Sequence, residues 1–302
     1  HRHFRRQRQM CIRDSFKPSP KSSQWSISGE INDLSHSGVI MGIVNTTPDS
    51  FSDGGKYKSQ ETALRKAIEL ESNGAAIIDF GGESTRPGAI EINNDEELRR
   101  VIPAIKDFSN KKKSQTLISI DTSKPKVAKE ALTNGAEIIN DITGLTNPAM
   151  REVAALSDCG IVLMHMSGSP KDMQDNPRYS NVTDSIIEFF NDQLNACEKA
   201  GISRERIILD PGIGFGKTLE HNLALLKSLD KFALLDRPMM IGVSRKSFIA
   251  KVLGTNEMEN REWPTVALTS YCREFGALVF RVHNSLDNFN AMRMTEAIIS
   301  AE

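Results

Sequence analysis

The segment GAAIIDFGGES, residues 74–84, shows in brief how this chain is built. A glycine precedes a short apolar run, and two glycines with polar residues follow it. Glycine is common just after the last turn of a helix, and a short apolar run between turn residues is typical of a buried strand. Upstream, the predicted helix at residues 61–73 places its apolar residues close to one face: Ala63, Leu64, Ala67, Ile68 and Leu70. The pattern predicts a helix, a strand and a polar loop, in that order.

This unit recurs along most of the chain. Gly135, Gly201 and Gly276 stand shortly before apolar runs, as Gly74 does. The eight candidate strands are residues 39–44, 76–80, 117–120, 138–140, 161–164, 207–209, 239–243 and 278–281. Strands that alternate with helices predict a parallel sheet with crossover connections. Eight units without a linker-like break favour an α/β fold, a single-domain (β/α)8 TIM barrel over residues 39–302, and the alternative is an open doubly wound sheet.

The first residues differ from the rest of the chain. Residues 1–15 carry five Arg and one Asp and show no periodicity. Within them MCIRDS, residues 10–15, is what translation of a common sequencing adapter yields, so we expect residues 1–15 to be a non-native or disordered segment. A disordered basic arm that binds an acidic partner is the alternative. Residues 16–38 are then expected to be a lead-in to the barrel.

The composition is that of an ordinary globular protein. Lys and Arg number 38 against 39 Asp and Glu, and the formal net charge is −1. This balance lacks the basic field that supplies nonspecific nucleic-acid affinity, and no apolar run reaches the roughly 18 residues of a membrane span. The cysteines, Cys11, Cys159, Cys197 and Cys272, show no C-x-x-C spacing. We therefore expect reduced thiols in a cytoplasmic protein that binds neither nucleic acid nor membrane.

Polar residues follow nearly every predicted strand. In chain order they are Asn45, Gly81, Gly82, Glu83, Asp121, Asn140, Asp141, His165, Asp210, Ser244, Arg245, Lys246, Arg281 and His283. In a TIM barrel the carboxyl ends of the strands meet at one mouth, where barrel enzymes place their chemistry. Single members such as Asp141 and His165 are equally explained as turn or core residues. The set as a whole suits a ligand with a donor-rich neutral heterocycle at one end and an anion at the other.

Two long loops follow the first two predicted strands. They are contained in MGIVNTTPDSFSDGG, residues 41–55, and GGESTRPG, residues 81–88. Loops between strands and helices in such folds usually have about 2 to 6 residues, so these are long. Their glycines, hydroxyls and amides predict mobile covering loops that bind an oxyanion, and Arg86 can grip a phosphate group through its two-pronged guanidinium.

Across nearly all of residues 39–302, the sequence resembles the dihydropteroate synthase family. The matching blocks, in family order, are NTTPDSFSDGG (45–55), GGESTRPG (81–88), SIDTSKP (119–125), GAEIINDI (135–142), LMHMSGSP (163–170), LDPGIGFGKT (209–218), SRKSFI (244–249) and RVH (281–283). The resemblance implies a TIM-barrel transferase of folate biosynthesis. Such an enzyme condenses p-aminobenzoate with 6-hydroxymethyl-7,8-dihydropterin diphosphate, and it releases diphosphate and 7,8-dihydropteroate. The resemblance also implies a homodimer and sensitivity to sulfonamides.

The resemblance further implies roles for individual residues. The pterin would be held deep in the barrel by Asp121, Asn140, Asp210 and Lys246. The diphosphate would be bound by Asn45, Arg281 and His283, and Asn45 would also lie near a Mg²⁺ ion. The p-aminobenzoate side would be shaped by Thr85, Arg86, Pro87, Phe215, Lys246 and Ser247. The catalytic set would be Asn45, Arg86, Lys246, Arg281 and His283.

The mechanism follows from the chemistry of these substrates. An aryl amine is neutral near pH 7, so it needs no general base to act as a nucleophile. The difficult step is the departure of diphosphate, which leaves positive charge on a methylene group that the dihydropterin ring delocalises. We therefore expect electrostatic catalysis in which Mg²⁺, Arg281 and His283 stabilise the departing anion before the amine attacks, while the two loops exclude water.

Two positions depart from the family pattern. Asn284 follows RVH where Asp is common, and residues 260–265, NREWPT, replace a more usual Gly-containing stretch. The first change could alter the support of His283, and the second lies near the last helices, where dimer contacts are expected. Neither removes a residue of the implied site, so they bear on dimer geometry and efficiency rather than on the class of reaction.

Other classes of protein remain as alternatives. A methyltransferase barrel that serves a corrinoid would share the Asp and Asn pocket, but it has no reason to keep both loops together with SRKS and RVH. A noncatalytic pterin-binding protein is disfavoured because Asn45, Arg281 and His283 are all retained. A nicotinamide-dependent oxidoreductase or an ATPase is disfavoured because GIGFGKT, residues 212–218, has neither the dinucleotide-binding context nor the phosphate-loop spacing.

Overall fold

A barrel of parallel strands forms the centre of the molecule. The computed structural model describes residues 23–47, 56–85 and 88–301. The strands are β1 (Gln24–Ile27), β2 (Glu30–Asp33), β3 (Val39–Asn45), β4 (Ile77–Gly81), β5 (Leu117–Asp121), β6 (Ile138–Asp141), β7 (Gly160–Met164), β8 (Ile207–Asp210), β9 (Met240–Ile241) and β10 (Val279–Val282). Strands β3 to β10 pair in the order β8-β7-β6-β5-β4-β3-β10-β9. All pairs in this sheet are parallel, and a bridge between Leu209 and Met239 brings β8 to β9 and nearly closes the barrel.

The TIM-barrel prediction is therefore confirmed, and the open doubly wound sheet is excluded. Each predicted barrel strand has a counterpart within a residue or two, except that β9 is shorter than the predicted residues 239–243. Met239 makes a single bridge to Leu209, and the chain leaves the sheet after Ile241. Neighbouring strands overlap too little there to form a longer ladder.

Helices connect the strands around the outside of the barrel. They are α1 (Lys56–Ser72), α2 (Asn94–Ser109), α3 (Pro125–Thr133), α4 (Pro148–Ala155), α5 (Val182–Lys199), α6 (Leu219–Lys227), α7 (Ser247–Leu253), α8 (Glu262–Glu274) and α9 (Ser285–Ile299). The four glycines expected to follow helices have φ angles between +86° and +105°, in the region that favours glycine: Gly74, Gly135, Gly201 and Gly276. The predicted helix at 61–73 begins earlier, at Lys56, and its Ile68 is 37% exposed, not on the buried face.

The inside of the barrel has two layers. Its lower layer is apolar and includes Ile77, Ile138, Val162 and Ile208, all buried. Because side chains alternate along a strand, the residue two positions further on points the same way and lies nearer the carboxyl end. On β4 this places Asp79 above Ile77, and the other strands supply further polar residues at similar heights. An apolar floor therefore lies beneath a polar mouth.

A hairpin covers the floor from below. Strands β1 and β2 are antiparallel and joined at Ser28 and Gly29, whose φ angles are +52° and +81°. Trp25 is 1% exposed, packs in the floor cluster with Ile27, and donates a hydrogen bond from Nε1 to the carbonyl of Arg206 at 2.9 Å. Residues 16–38 precede the barrel, and their described part, residues 23–38, packs on its floor. Residues 1–15 lie outside the described residues.

Within residues 23–47, 56–85 and 88–301, no helix combines the length and the apolar character that crossing a bilayer requires.

Candidate active site

A cavity opens at the carboxyl ends of the strands. Its lining consists of Ile43, Thr85, Asp121, Asn140, Ile142, Met164, Asp210, Phe215, Met240, Gly242, Ser244, Lys246, Arg281 and His283. Most of the implied site residues therefore surround one space. Asn45 ends β3 beside it without lining it, and Ser247 is exposed as the first residue of α7. Arg86 and Pro87 lie outside the described residues, so nothing is added to their expected roles.

One wall of the cavity is a buried cluster of charges around Arg281. Its Nε donates to Asp79 Oδ2 at 2.6 Å, and its Nη2 donates to Asp121 Oδ2 at 2.6 Å. Burial opposes the charge of the guanidinium, but the two carboxylates together raise its pKa. Burial raises the pKa of Asp121, and Arg281 acts in the opposite sense. Asn140 joins the cluster because its Nδ2 donates to Asp79 Oδ2 at 3.1 Å.

Another part of the cavity lining combines a carboxylate, an ammonium and an aromatic ring. Asp210 ends β8, is 3% exposed, and accepts a hydrogen bond from the backbone N–H of Gly212 at 2.8 Å. Burial raises its pKa, which the Gly212 bond and Lys246 partly oppose. Lys246 Nζ lies 3.8 Å from the centroid of the Phe215 ring, a cation–π contact. Burial lowers the pKa of Lys246 to about 7. This part of the lining therefore offers an acceptor, a titratable donor and an apolar surface.

A third part of the site pairs His283 with Ser244. Ser244 Oγ lies 2.9 Å from His283 Nδ1, and the same oxygen accepts from the backbone N–H of His283 at 3.2 Å. Because the hydroxyl accepts from the backbone, its own proton is available to Nδ1. That arrangement favours the tautomer in which Nε2 carries the proton of the neutral ring. His283 would then offer an N–H donor to an anion.

The residues that depart from the family pattern hold a turn beside Lys246. Arg245 has φ +58°, and its backbone N–H donates to Thr265 Oγ1 at 3.2 Å. Arg261 donates to the carbonyl of Arg245 at 3.1 Å, and Glu262 accepts from the Arg245 side chain at 2.6 Å. Residues 260–265 therefore support the turn that carries the cavity lysine.

Asn284, the other departure, does not contact His283 through its side chain in any described hydrogen bond. It caps α9 instead, because its Oδ1 accepts from the backbone N–H of Asp287 at 3.3 Å. The expected effect on the support of His283 would therefore have to act through the position of the helix.

The root of the second loop is fixed by an ion-pair cluster. Lys124 donates to Glu83 at 2.7 Å and to the fully buried Glu97 at 2.7 Å. Glu83 also accepts from the backbone N–H of Ile92 at 2.7 Å. Glu83 near the start of the loop is thus bonded to Ile92 beyond its end, and this contact holds the segment in which Thr85 lines the cavity. Glu83 thus acts on the loop and does not face the cavity itself.

Two of the polar strand-end residues have the simpler role. Asp141 accepts hydrogen bonds from the backbone N–H groups of Thr143 and Leu145, so it shapes the turn after β6. His165 lies 3.0 Å from Lys217 Nζ, and burial together with this lysine lowers its pKa to about 3. Neither side chain lines the cavity. The explanation as turn and core residues therefore holds for both.

Several residues in or next to the cavity were not predicted from the sequence. Asp79 lies inside an apolar strand rather than at its end, and Lys217 lies in a glycine-rich loop without periodicity. The apolar lining, Ile142 and Met164 among it, looks like ordinary core in the sequence. A buried carboxylate needs partners, so the charged residue within IIDF was the one available signal.

Comparisons with known proteins agree with this geometry. Residues 41–283 match the family described as pterin binding enzyme. The chain is 45% identical over 270 residues to the dihydropteroate synthase of Escherichia coli strain K12, covering 89% of this chain and 94% of that protein. It is similar to the crystal structure of Yersinia pestis dihydropteroate synthase with a sulfonamide drug complex, with TM-score 0.86, 40% identity, and coverage of 92% of this chain and 100% of the other.

A further similar structure is dihydropteroate synthase from Xanthomonas albilineans in complex with 7,8-dihydropteroate. Its TM-score is 0.83 at 34% identity, and the match covers 92% of this chain and 100% of that chain. Fold, sequence and length of match all agree. The chain therefore belongs to the pterin-binding enzyme family, among the dihydropteroate synthases.

Proposed function

We propose that the cavity joins p-aminobenzoate to 6-hydroxymethyl-7,8-dihydropterin diphosphate, giving 7,8-dihydropteroate and diphosphate, as a transferase of folate biosynthesis. The observation that carries the proposal is that one cavity is lined both by buried acceptors and by donors suited to an anion. Asp121, Asn140 and Asp210 supply the acceptors, and the Arg281 guanidinium and the His283 N–H supply the donors. A donor-rich ring that carries an anionic leaving group matches both.

The acceptors suit the pterin ring. Its amino group and ring N–H donate hydrogen bonds, and Asp121, Asn140 and Asp210 present carboxylate and amide oxygens. Its carbonyl and ring nitrogen accept hydrogen bonds, which the ammonium of Lys246 can donate. Asn140 is 2% exposed and its Oδ1 has no hydrogen-bond partner among the described residues. A ligand that donates a hydrogen bond to a buried acceptor without a partner removes the free-energy cost of leaving that acceptor unsatisfied.

The Arg281 guanidinium and the His283 N–H suit the diphosphate. The charge of Arg281 is held by two carboxylates, and its Nη1 has no hydrogen bond within the described part of the chain. His283 offers an N–H through the tautomer that Ser244 favours. Fixed donors aimed at a leaving group stabilise the negative charge that develops on it. We assign to these two residues the stabilisation of departing diphosphate.

We propose that a Mg²⁺ ion binds beside the end of β3, where Asn45 presents an amide oxygen. Gly81 has no side chain here, and a Cβ atom placed on it would lie 3.7 Å from Asn45 Oδ1. No group of three or more His, Cys, Asp or Glu side chains suited to a metal occurs within the described ranges. Mg²⁺ commonly uses one or two protein oxygens with water and substrate phosphates, so Asn45 would hold an ion that neutralises the leaving diphosphate.

The p-aminobenzoate side would lie toward the mouth. Phe215 presents a ring to the cavity, and Thr85 lines it from the second loop. Ser247 is exposed at the start of α7, where a hydroxyl and helix N–H groups could receive the carboxylate of the substrate. Arg86 and Pro87 keep their expected roles as a prediction. Sulfonamides, which mimic p-aminobenzoate, would compete at this side.

The assay that tests the function measures dihydropteroate formation from the two substrates with and without Mg²⁺. Product that depends on both substrates, and forms faster with the metal ion, is the expected result. Pterin binding without product under saturating conditions would instead indicate a noncatalytic pterin-binding protein.

The order of events is tested by single-turnover release of diphosphate. If diphosphate leaves first, it should be formed on the enzyme without p-aminobenzoate, and Arg281→Ala and His283→Ala should slow this step most. Phe215→Ala and Ser247→Ala should weaken p-aminobenzoate binding while leaving release largely intact. A release rate that requires the amine and rises linearly with its concentration would favour concerted displacement.

We also propose a homodimer formed through helices α7 to α9. These helices expose many apolar side chains: Val252, Leu253, Trp263, Tyr271, Leu286, Met294, Ile298 and Ile299. On α8, Trp263 and Tyr271 lie eight residues apart and are 74% and 37% exposed, which places them on one face. Exposed apolar side chains on consecutive helices are typical of an interaction site where they join into a large patch.

Light scattering tests the dimer. We expect about twice the monomer mass of 33.5 kDa, and a shift toward the monomer in Trp263→Glu and Ile298→Glu. Leu156→Glu, at an 83% exposed position next to α4, is the control and should leave the mass unchanged. A monomer in the unmodified protein at high concentration would contradict the proposal.

The cytoplasmic location stays a prediction, consistent with the buried thiols of Cys159, Cys197 and Cys272.

A further inference from the structure

Asp79 lies below the mouth of the barrel and holds two of the residues that line the cavity. It is fully buried within β4 and does not line the cavity itself. Its Oδ2 accepts from Arg281 Nε at 2.6 Å and from Asn140 Nδ2 at 3.1 Å. A single carboxylate oxygen therefore joins Asn140, an acceptor for the pterin, to Arg281, a donor for the diphosphate.

The bond to Asn140 decides which end of its amide faces a ligand. An ionised carboxylate only accepts hydrogen bonds, so the NH₂ end must face Asp79, and the flipped amide would bring two oxygens together. Asn140 Oδ1 is consequently turned away from Asp79, and it has no partner in the described part of the chain. Asp79 therefore sets the orientation of the Asn140 amide oxygen that would accept from the pterin, although Asp79 itself does not contact the pterin.

The bond to Arg281 fixes the guanidinium in place. Asp79 holds Nε and Asp121 holds Nη2, so two edges of the planar group are engaged. With only Asp121 left, the guanidinium could rotate about a single bond, and Asp121 would be drawn further toward it and away from a ligand. Both contacts are therefore needed to hold the remaining edge toward the cavity.

We propose that Asp79 is a positioning residue that orients the Asn140 amide for the pterin and the Arg281 guanidinium for the diphosphate. The inference rests on the proposed function of the cavity. It assigns to one buried carboxylate the relative placement of the two ends of the substrate. Asp79 acts through hydrogen bonds to these two residues and not through contact with substrate.

The test compares two variants of equal charge. Asp79→Asn removes the negative charge but keeps an oxygen that can accept from both partners, and Asp79→Ala removes the acceptor as well. Removing the charge alone alters the electrostatic potential at the anion site, so Asp79→Asn is the matched reference. Calorimetry would measure the Kd of each variant for 6-hydroxymethylpterin and, with Mg²⁺ present, for inorganic diphosphate.

We expect Asp79→Ala to bind each probe at least tenfold more weakly than Asp79→Asn. Asn140→Ala should mainly weaken binding of the pterin probe, and Arg281→Ala should mainly weaken binding of diphosphate, so comparable losses for both probes identify Asp79 as their common support. If the Ala variant does not fold, Asp79→Leu is compared in its place, because Leu fills the volume of Asp without an acceptor.

Two results would overturn the proposal. Equal affinities of the Asn and Ala variants would mean that Asp79 acts only through its charge. Affinities equal to those of the unmodified protein, with only a lower melting temperature, would mean that it serves only stability. An unmodified protein that bound neither probe would contradict the proposed function instead, before any Asp79 variant was compared.

Discussion

Asp210 shows how a turn residue and a ligand acceptor can be told apart. Its Oδ1 accepts from the backbone N–H of Gly212, as a turn former would, yet the side chain also lines the cavity. In Asp210→Asn the amide oxygen can keep the turn bond, which leaves the NH₂ group toward the pterin donors. We expect the binding free energy of 6-hydroxymethylpterin, measured by calorimetry, to become less favourable by about 1 to 3 kcal/mol.

Asp141→Asn is the control for this substitution. Asp141 is also buried and also bonds to backbone N–H groups in a turn, but it does not line the cavity. Its replacement should lower the free energy of unfolding without changing pterin affinity. Unchanged affinity in Asp210→Asn as well would show that Asp210 only shapes the turn after β8.

Lys246 predicts a pH dependence of pterin binding. Burial lowers its pKa to about 7, so the ammonium is present below that pH and is lost as the pH rises. If the ammonium donates to the pterin carbonyl, affinity should fall between about pH 6 and pH 9. In Lys246→Met the affinity should be weaker at pH 6, and this part of the pH dependence should be absent.

Lys217 provides the comparison, because burial lowers its pKa to about 7 as well. Its Nζ donates to the carbonyl of Phe215 at 2.9 Å and does not line the cavity. Lys217→Met should therefore keep the fall in affinity with rising pH. If the pH dependence disappeared in the Lys217 variant and persisted in the Lys246 variant, the titrating group would be Lys217. The prediction for Lys246 would then be wrong.

Single site residues could be predicted from their position along a strand. Residues whose role depends on contacts between distant strands could not be predicted from the sequence. Asp121, Asn140 and Asp210 could be predicted because each lies at or next to the end of a strand, and strand ends meet at the mouth of a barrel. Asp79 could not, because its role depends on the approach of Arg281 from a strand that is 202 residues distant in sequence. Ion pairs of this range follow from barrel closure and not from any local pattern.

The glycines after the helices allow backbone and packing effects to be separated. Gly201 has φ +86°, and a Cβ there would meet nothing within 4 Å. Gly74 has φ +94°, but a Cβ there would lie 2.8 Å from the ring of Phe289. Gly201→Ala should cost about 1 kcal/mol, the penalty of the left-handed conformation. Gly74→Ala should cost about 1 to 3 kcal/mol more, because the ring must shift.

Urea unfolding of both variants would measure these differences. Both glycines precede strands at the end of the barrel remote from the cavity, so substrate affinity should stay unchanged in each. Equal losses of stability would show that Phe289 moves aside at no cost and that the packing contribution is absent.

Among the elements, the barrel strands were predictable and the hairpin was not. Buried parallel strands consist of continuous apolar residues, and glycines separate them from the helices, so both signals are local. Strands β1 and β2 have four residues each, and Ile31 on β2 is 63% exposed. Segments so short and so mixed carry no clear period. They are strands because they pair with each other and cover the barrel floor.

The whole molecule separates stability from chemistry along the barrel axis. The floor contains apolar side chains and Trp25, whereas the half of the barrel toward the mouth contains buried charges such as Asp79, Asp121 and Arg281. Burying charges costs free energy that only partners or a ligand can offset. The apolar floor and the outer core must therefore supply the stability that such a mouth does not. Substitutions that remove side chains from the floor should lower the free energy of unfolding and leave the cavity unchanged.

Trp25 tests this separation. It is 1% exposed, and the Nε1–H bond to the carbonyl of Arg206 ties the hairpin to the chain just before β8. Trp25→Ala should reduce the free energy of unfolding by about 3 to 5 kcal/mol, because it empties a large part of the floor. Trp25→Phe keeps an aromatic ring and loses the hydrogen bond, so its cost should be smaller. Denaturant unfolding would measure both changes.

The decisive comparison is between stability and kinetics in the same Trp25 variants. Leu156→Ala, at an 83% exposed position, should change the free energy of unfolding by about 0.5 kcal/mol or less and provides the baseline. Well below the melting temperature, kcat and KM of Trp25→Ala should lie within about twofold of the unmodified protein, since its side chain lies beneath the apolar layer. A large increase in KM for the pterin diphosphate, with little loss of stability, would mean that the floor shapes the cavity directly, and the two ends of the barrel would have to be treated as one site.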